Sequence, residues 1–243
     1  MTAAYDAAAF IREHVREQIR LEDVADAVGY SPFHLARMFT ASVRCSPMRY
    51  LAAHRFHQAK HLLLAEGLTV VDVCHEVGFS SPGTFTRRFR AEVGVTPAEL
   101  RVLADEVTER HAAPFRSGPQ HGWGMLTGTV EVARELGPDP LVWVGLFARP
   151  EPAGVPAAGL LRRGPCEFTL PVLPTHPWLL ATVVPDTADP LIHLAADWPL
   201  VAMHPAPITR PTHVRLTTRP AFDWETPILT ALPALRKIGV SGS

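Results

Sequence analysis

Cysteine is scarce in this chain, and its placement matters as much as its number. The 243 residues hold three, Cys45, Cys74 and Cys166. An odd, widely spaced set without a CxxC pair argues against a disulfide framework and against a thiolate zinc site, and fits reduced thiols. Long apolar runs are missing as well. The opening MTAAYDAAAFIREHVREQ carries charges at helical spacing, and no later run is long enough to span a bilayer. The expectation is a soluble, cytoplasmic protein without a membrane partner. Lysine is nearly absent, 2 against 21 arginines, a bias that reflects genome composition more than function.

Two further absences divide the chain. Before residue 113 there is no tryptophan, and only Pro32, Pro47, Pro82 and Pro97 of the 24 prolines. Trp123, Trp143, Trp178, Trp198 and Trp224 all come later. A length of 243 residues suits two ordinary domains, and the change in composition sets them at 1–109 and 122–243, with 110–121 as a linker of turn formers without periodicity.

Acid is the last thing lacking, and only locally. The net charge of −1 argues against a nucleic-acid partner until its distribution is considered, because Ser31 to Ala65 and Val77 to Ala91 contain no Asp or Glu. The first run holds Arg37, Arg44, Arg49, Arg55 and Lys60 beside His34, His54, His57 and His61; the second holds Arg87, Arg88 and Arg90. The acids gather at Glu22, Asp23, Asp26, Asp72 and Glu76. Such segregation is what one basic face requires.

What is present is a repeat. SPFHLARMFTASVRCSPMRYL begins at residue 31 and SPGTFTRRFRAEVGVTPAELR at residue 81. A first helix, DAAAFIREHVREQI, is expected to bury Ala9, Phe10, Val15 and Ile19. LEDVADAV then places Leu21, Val24, Ala25 and Val28 on one face and stops at Gly29. Ser31-Pro32 caps the next helix, which buries Leu35, Phe39 and Val43. A longer helix runs from Ser46-Pro47 to about Glu66. The same grammar returns with Thr69, Val70, Val73, Cys74, Val77 and Gly78, then Ser81-Pro82 with Phe85, Phe89 and Val93, and a capping box at Thr96 and Glu99. Each unit is a short helix, a turn and a second helix, the pattern whose second helix enters a major groove. A connecting helix of roughly 20 residues spans about 30 Å, close to the roughly 34 Å between successive major-groove faces.

GYSPFHLARMF and RFHQAKHLLLAEGLTVVDVCHEVGFSSPGTFTRRFRAEVGVTPAELR resemble the AraC/XylS-type transcription regulators over about residues 5–107. The resemblance implies an N-terminal double helix-turn-helix domain, sequence-specific binding to double-stranded DNA and control of transcription, with RNA polymerase a further candidate partner. Aligned on the family's base-reading face are Pro32, Phe33, Ala36, Arg37 and Thr40 in the first unit, and Pro82, Gly83, Thr86, Arg87 and Arg90 in the second. Arg37 is the one strong candidate for a bidentate contact to guanine, and Arg87 is expected to carry most of the reading by the second unit. Ser31, Arg49, Arg55, Ser81, Arg88 and Arg90 are assigned to phosphates. The competing class is a helical adaptor whose acid-free helices bind an acidic protein.

His57 and His61 have the i, i+4 spacing of a metal pair, but no carboxylate or cysteine is nearby in the sequence, so neither metal nor cofactor is assigned. The four histidines of this region read as solvated side chains or phosphate neighbours.

Beyond residue 122, GMLTGTVEV, LVWVGLFA, CEFTLPVL, WLLATVV, LIHLAADWPLVAM and THVRLTT read as strands of an antiparallel β-sandwich, and ETPILTALPALRKI as a short closing helix. His176, His193, His204 and His213 with Asp186, Asp189 and Asp197 show no active-site spacing, and Cys166 lies in an apolar strand. No enzymatic role is assigned. This half is expected to sense a small molecule or to bind a protein, in a monomer or a homodimer.

Overall fold

The computed structural model describes residues 2–65, 67–109, 115–132, 136, 139–185, 187, 189–197 and 199–231. Seven helices come first: α1 (Thr2–Glu13), α2 (Leu21–Ala27), α3 (Pro32–Val43), α4 (Pro47–Ala65), α5 (Val70–Glu76), α6 (Pro82–Val93) and α7 (Pro97–Glu109). Local chemistry sets their ends. The Ser31 and Ser81 hydroxyls accept from the backbone N–H of His34 and Thr84, and Thr69 does the same for Asp72. Thr96 and Glu99 exchange bonds of 2.7 and 3.2 Å in the expected capping box. The repeat survives in three dimensions: α2 and α5 have 7 residues each, and α3 and α6 have 12. Both longer helices end in a left-handed residue, Arg44 (φ 68°) in one and Gly94 (φ 93°) in the other.

Each unit has its own core. In the first, Leu35, Phe39 and Val43 meet Val24, Ala25 and Tyr50; in the second, Phe85, Phe89 and Val93 meet Phe56, Val73 and Leu100. α1 contributes Ala7, Ala8 and Ile11, with Val15 just beyond it. The expected stripe is therefore rotated: Ala9 and Phe10 are only half-buried, because α1 packs mainly on α3 and α4 through its small alanine face.

The strands follow: β1 (Phe115–Ser117), β2 (Met125–Glu131), β3 (Leu141–Phe147), β4 (Ala158–Arg163), β5 (Cys166–Pro171), β6 (Trp178–Val184), then α8 (Pro190–Leu194), β7 (Leu200–Met203), β8 (Thr212–Thr217) and β9 (Arg219–Pro220). They form a six-stranded sheet in the order β1-β4-β3-β6-β7-β9 and a three-stranded sheet in the order β5-β2-β8. The larger sheet is antiparallel throughout. The smaller is mixed, since β2 pairs antiparallel with β5 but parallel with β8. A parallel pair needs a long crossover, and here the chain traverses most of the larger sheet between β2 and β8.

Three expectations are corrected. Phe115–Ser117, within the expected linker, pairs with β4. The run beginning at Leu191 opens as α8, because the Asp189 carboxylate caps Leu191 N–H at 2.8 Å and Pro190 takes the first helical position. AGLLRR, not anticipated as a strand, is β4. The closing helix is absent through Ala231, and the rest of that stretch lies outside the described residues, as do Asp186 and Trp198.

One face of the larger sheet (Val142, Val144, Leu146, Leu160, Leu179, Ala181) shares a core with Leu126, Phe168, Leu170 and Val214 of the smaller. The other face (Leu141, Trp143, Phe147, Leu161, Leu180, Val184) forms a second cluster. β3 is thus buried on both sides, which explains its unbroken apolar sequence.

Candidate nucleic-acid interface

On α3 and α6 the buried stripe leaves the remaining side chains outward. Phe33 is 80 % exposed, and Ser31, Arg37, Thr40, Ser81, Gly83, Arg87, Arg88 and Arg90 are exposed; Pro32, Ala36, Pro82 and Thr86 are half-buried. Among the described residues no carboxylate pairs with Arg37, Arg87 or Arg90. Arg88 is exposed, yet its guanidinium carbon lies 5.8 and 5.5 Å from the ring centres of Phe56 and Phe79, so the rings hold the head group in place.

The arginines of α4 behave differently. Arg55 is 9 % exposed, and its guanidinium donates to the carbonyls of Val15 (2.8 Å), Gly78 (3.2 Å) and Glu17. All three nitrogens are committed to backbone, which removes Arg55 from the phosphate set. It ties the turn after α1 to the turn after α5, across both units. Arg49 is also withdrawn: it pairs with Glu151, and with Glu92 at 3.0 Å. Lys60, 1 % exposed, donates to the carbonyls of Ile228 (2.8 Å) and Leu229 (3.3 Å), and burial pulls its ammonium down to about 7.

Two of the α4 histidines, His54 and His57, are likewise mostly shielded from solvent. Burial, then the neighbouring His57 and Arg12 charges, lowers His54 to about 3. Burial and then Lys60 lower His57 to about 4, against the opposing effect of its hydrogen bond to the Asp197 carboxylate. The acid-free stretch 31–65 is therefore two things: an outward basic surface on α3 and an inward polar spine on α4.

That spine is where the two halves meet. Eleven of the nineteen residues of α4 are buried, at every phase of the helix. The carboxy-terminal half supplies Glu151 to Arg49, the carbonyls of Ile228 and Leu229 to Lys60, and Asp197 to His57 and His61. Its grip extends to the far ends of α3 and α6. Arg44 stacks at 5.9 Å over Trp178, Gly154 N–H donates to Glu92 C=O at 2.6 Å, and Ala231 N–H donates to Val93 C=O at 2.9 Å. The amino-terminal ends of both helices stay uncovered. Between the halves lies a cavity of about 800 Å³, walled by Tyr5, Arg12 and His54 on one side and Trp143, Leu180 and Trp224 on the other.

Sequence reasoning missed the docking of the halves. Its one local signal was that RFHQAKHLLLA offers no polar side, as expected of a helix covered all round.

Residues 24–102 match the family described as a helix-turn-helix domain. The probable transcription factor PqrA of Proteus vulgaris is 34 % identical over 85 residues, which are 35 % of this chain and 70 % of that protein. The chain belongs to the AraC-type helix-turn-helix regulators. The uncharacterized HTH-type transcriptional regulator YbfP of Bacillus subtilis is 28 % identical over 130 residues, 54 % of this chain and 44 % of that relative. The matched part therefore spans less than half of YbfP. The DNA-binding domain of AdpA, a global transcriptional factor solved with a target DNA, is 27 % identical with a TM-score of 0.42, covering 44 % of this chain and 96 % of that one. The matched family and PqrA support an AraC-type helix-turn-helix regulator, and the acidic-protein adaptor finds no support in either. No helix among the described residues is long and apolar enough to cross a membrane.

Proposed function

We propose that α3 and α6 enter two neighbouring major grooves of one DNA duplex and that the chain regulates transcription by doing so. The observation that carries this reading is the matched construction of the two helices: equal length, the same serine-proline start, the same buried stripe and an outward arginine at equivalent places, Arg37 and Arg87. α4, with 19 residues, is about 28 Å long at about 1.5 Å per residue, which suits the roughly 34 Å groove repeat. Base edges are read by Pro32, Phe33, Ala36 and Arg37 and by Pro82, Gly83, Thr86 and Arg87. Ser31, Ser81, Arg88 and Arg90 hold phosphates.

The carboxy-terminal half is the sensing part in this proposal. The junction cavity has the size of a small-molecule site, and a molecule within it touches both halves at once. The test is selection of binding sites from random DNA by the full chain. The expected product is a motif with two elements separated by about one helical turn. A single short element, or no preference over random duplex, would refute the two-groove arrangement.

A further inference from the structure

His57 and His61 stand one turn apart on α4, so their rings leave the same face. Asp197, in the segment after α8, reaches that face from the other half of the molecule, 140 residues away in sequence. The three candidate ligand atoms make a nearly equilateral triangle. His57 Nε2 and His61 Nε2 are 3.3 Å apart, and Asp197 Oδ1 is 3.1 Å from the first and 3.0 Å from the second.

Hydrogen bonds alone do not account for this triangle. A carboxylate oxygen only accepts, so satisfying both of its edges requires a proton on each Nε2. The two N–H groups then face one another across the third edge with no lone pair between them. Removing either proton relieves that edge but leaves a nitrogen lone pair against the carboxylate oxygen. Three lone pairs converging on a central cation satisfy all three edges together. Ligands at 2.0–2.2 Å from a metal lie about 3.0 Å apart on an octahedral face and about 3.3 Å apart along a tetrahedral edge, and the observed sides fall in that span.

The donor set limits the ion. Two imidazoles and one carboxylate suit zinc and its first-row neighbours, whereas calcium and magnesium favour oxygen donors. The nearest cation on the helix, Lys60, points away to the carbonyls of Ile228 and Leu229. Asp197 is 60 % exposed and His61 29 %, so an ion can enter from solvent and water can fill its remaining positions.

We propose that His57, His61 and Asp197 form a binding site for one divalent transition-metal ion, which clasps α4 to the carboxy-terminal half. The likeness to AraC-type proteins plays no part in this inference, and it stands whether or not the two-groove reading holds.

The test uses the full chain, made without a histidine tag and stripped with a chelator, then titrated with Zn²⁺ and separately with Co²⁺. One equivalent of Zn²⁺ is expected to bind, and at a hundredfold excess over Kd the melting temperature should rise by roughly 5–11 °C. Co²⁺ should develop ligand-field absorption in the visible. Asp197→Asn keeps the shape of an exposed side chain and removes the charge; it should weaken Zn²⁺ binding at least tenfold and, at the same Zn²⁺ concentration, cut the rise in melting temperature to about half or less. His176→Ala, remote in sequence and with its ring hydrogen-bonded to the neighbouring Thr175 hydroxyl, should change neither. Absence of stoichiometric binding by the wild-type chain overturns the proposal, as does wild-type affinity in both Asp197→Asn and His61→Gln. Should Asp197→Asn fail to fold, the wild-type Co²⁺ spectrum and His61→Gln decide the matter.

Discussion

Replacing Arg55 by methionine separates two roles that an arginine in a DNA-binding protein can have. The guanidinium serves three carbonyls, but they would not suffer equally. Gly78 C=O also accepts from Gln18 Nε2 at 2.7 Å, and Glu17 C=O is only part-buried, so both keep a partner or gain water. Val15 C=O is left orphaned inside, which costs about 1–3 kcal/mol. The contact of the guanidinium with Phe79, 5.7 Å from the ring centre, adds roughly 0.5–1 kcal/mol, while methionine retains most of the stem's packing. The expected loss is about 2–4 kcal/mol, or roughly 4–16 °C in melting temperature for a chain of this size. Below that transition, DNA affinity and its dependence on salt should match the parent chain, because no phosphate contact has been removed. Arg88→Met is the comparison: it should lower the slope of log K against log salt by about 0.9, and the loss of its ring contacts with Phe56 and Phe79 should cost only about 0.5–1 kcal/mol, less than Arg55→Met. If Arg55→Met melts like the parent and loses about one unit of salt slope, the buried-tether account is wrong.

Arg37→Ala and Arg87→Ala should each reduce discrimination by about 1–3 kcal/mol at particular base pairs, read by competition between a selected site and random duplex; equal losses on both would remove them from base reading. Acid should destabilise the fold through His54 and His57. Their folded values of about 3 and about 4 lie below the unfolded one, so the unfolded chain binds more protons and stability falls as pH drops through 6.5 toward 4. From pH 7 to pH 5 each histidine removes about 2 kcal/mol, and a urea midpoint that does not change over that range would contradict their neutral burial. Gly78→Ala should cost more than 1 kcal/mol in urea unfolding, because Gly78 has φ 79° and a Cβ there would lie 2.9 Å from both Arg16 O and Arg55 Nη2. Gly83→Ala, whose Cβ meets nothing, should leave stability within about 0.5 kcal/mol.

The helical half was legible wherever its determinants are local. Serine caps, first-turn prolines and the 96/99 capping box act over three or four residues, so the sequence displays them, and the helix starts at Pro32, Pro47, Pro82 and Pro97 follow directly. Strand β3 announced itself by continuous apolar sequence, whereas β4 was overlooked because Ala158, Gly159 and the arginines at its end disguise a buried centre at Leu160 and Leu161. The outward arginines of α3 and α6 were legible because a helix with one buried stripe has a defined opposite side. The tethers of Arg49 and Arg55 are hidden for the converse reason. Their partners, Glu151, Val15, Glu17 and Gly78, are 23 to 102 residues distant, and nothing in the local sequence distinguishes an arginine that meets phosphate from one that meets buried carbonyls. His57 and His61 lacked an acid for the same reason, since Asp197 arrives through tertiary structure alone.

Because α4 has no free side, the two halves cannot melt as strangers. Severing the polypeptide after α7 would strip Lys60 of both its carbonyl acceptors and Arg49 of Glu151, leaving an ammonium and a guanidinium in hollows shaped for company. Loss of sheet structure and loss of helix should coincide in one cooperative transition, and a truncated amino-terminal fragment should be markedly less stable than the same residues within the whole.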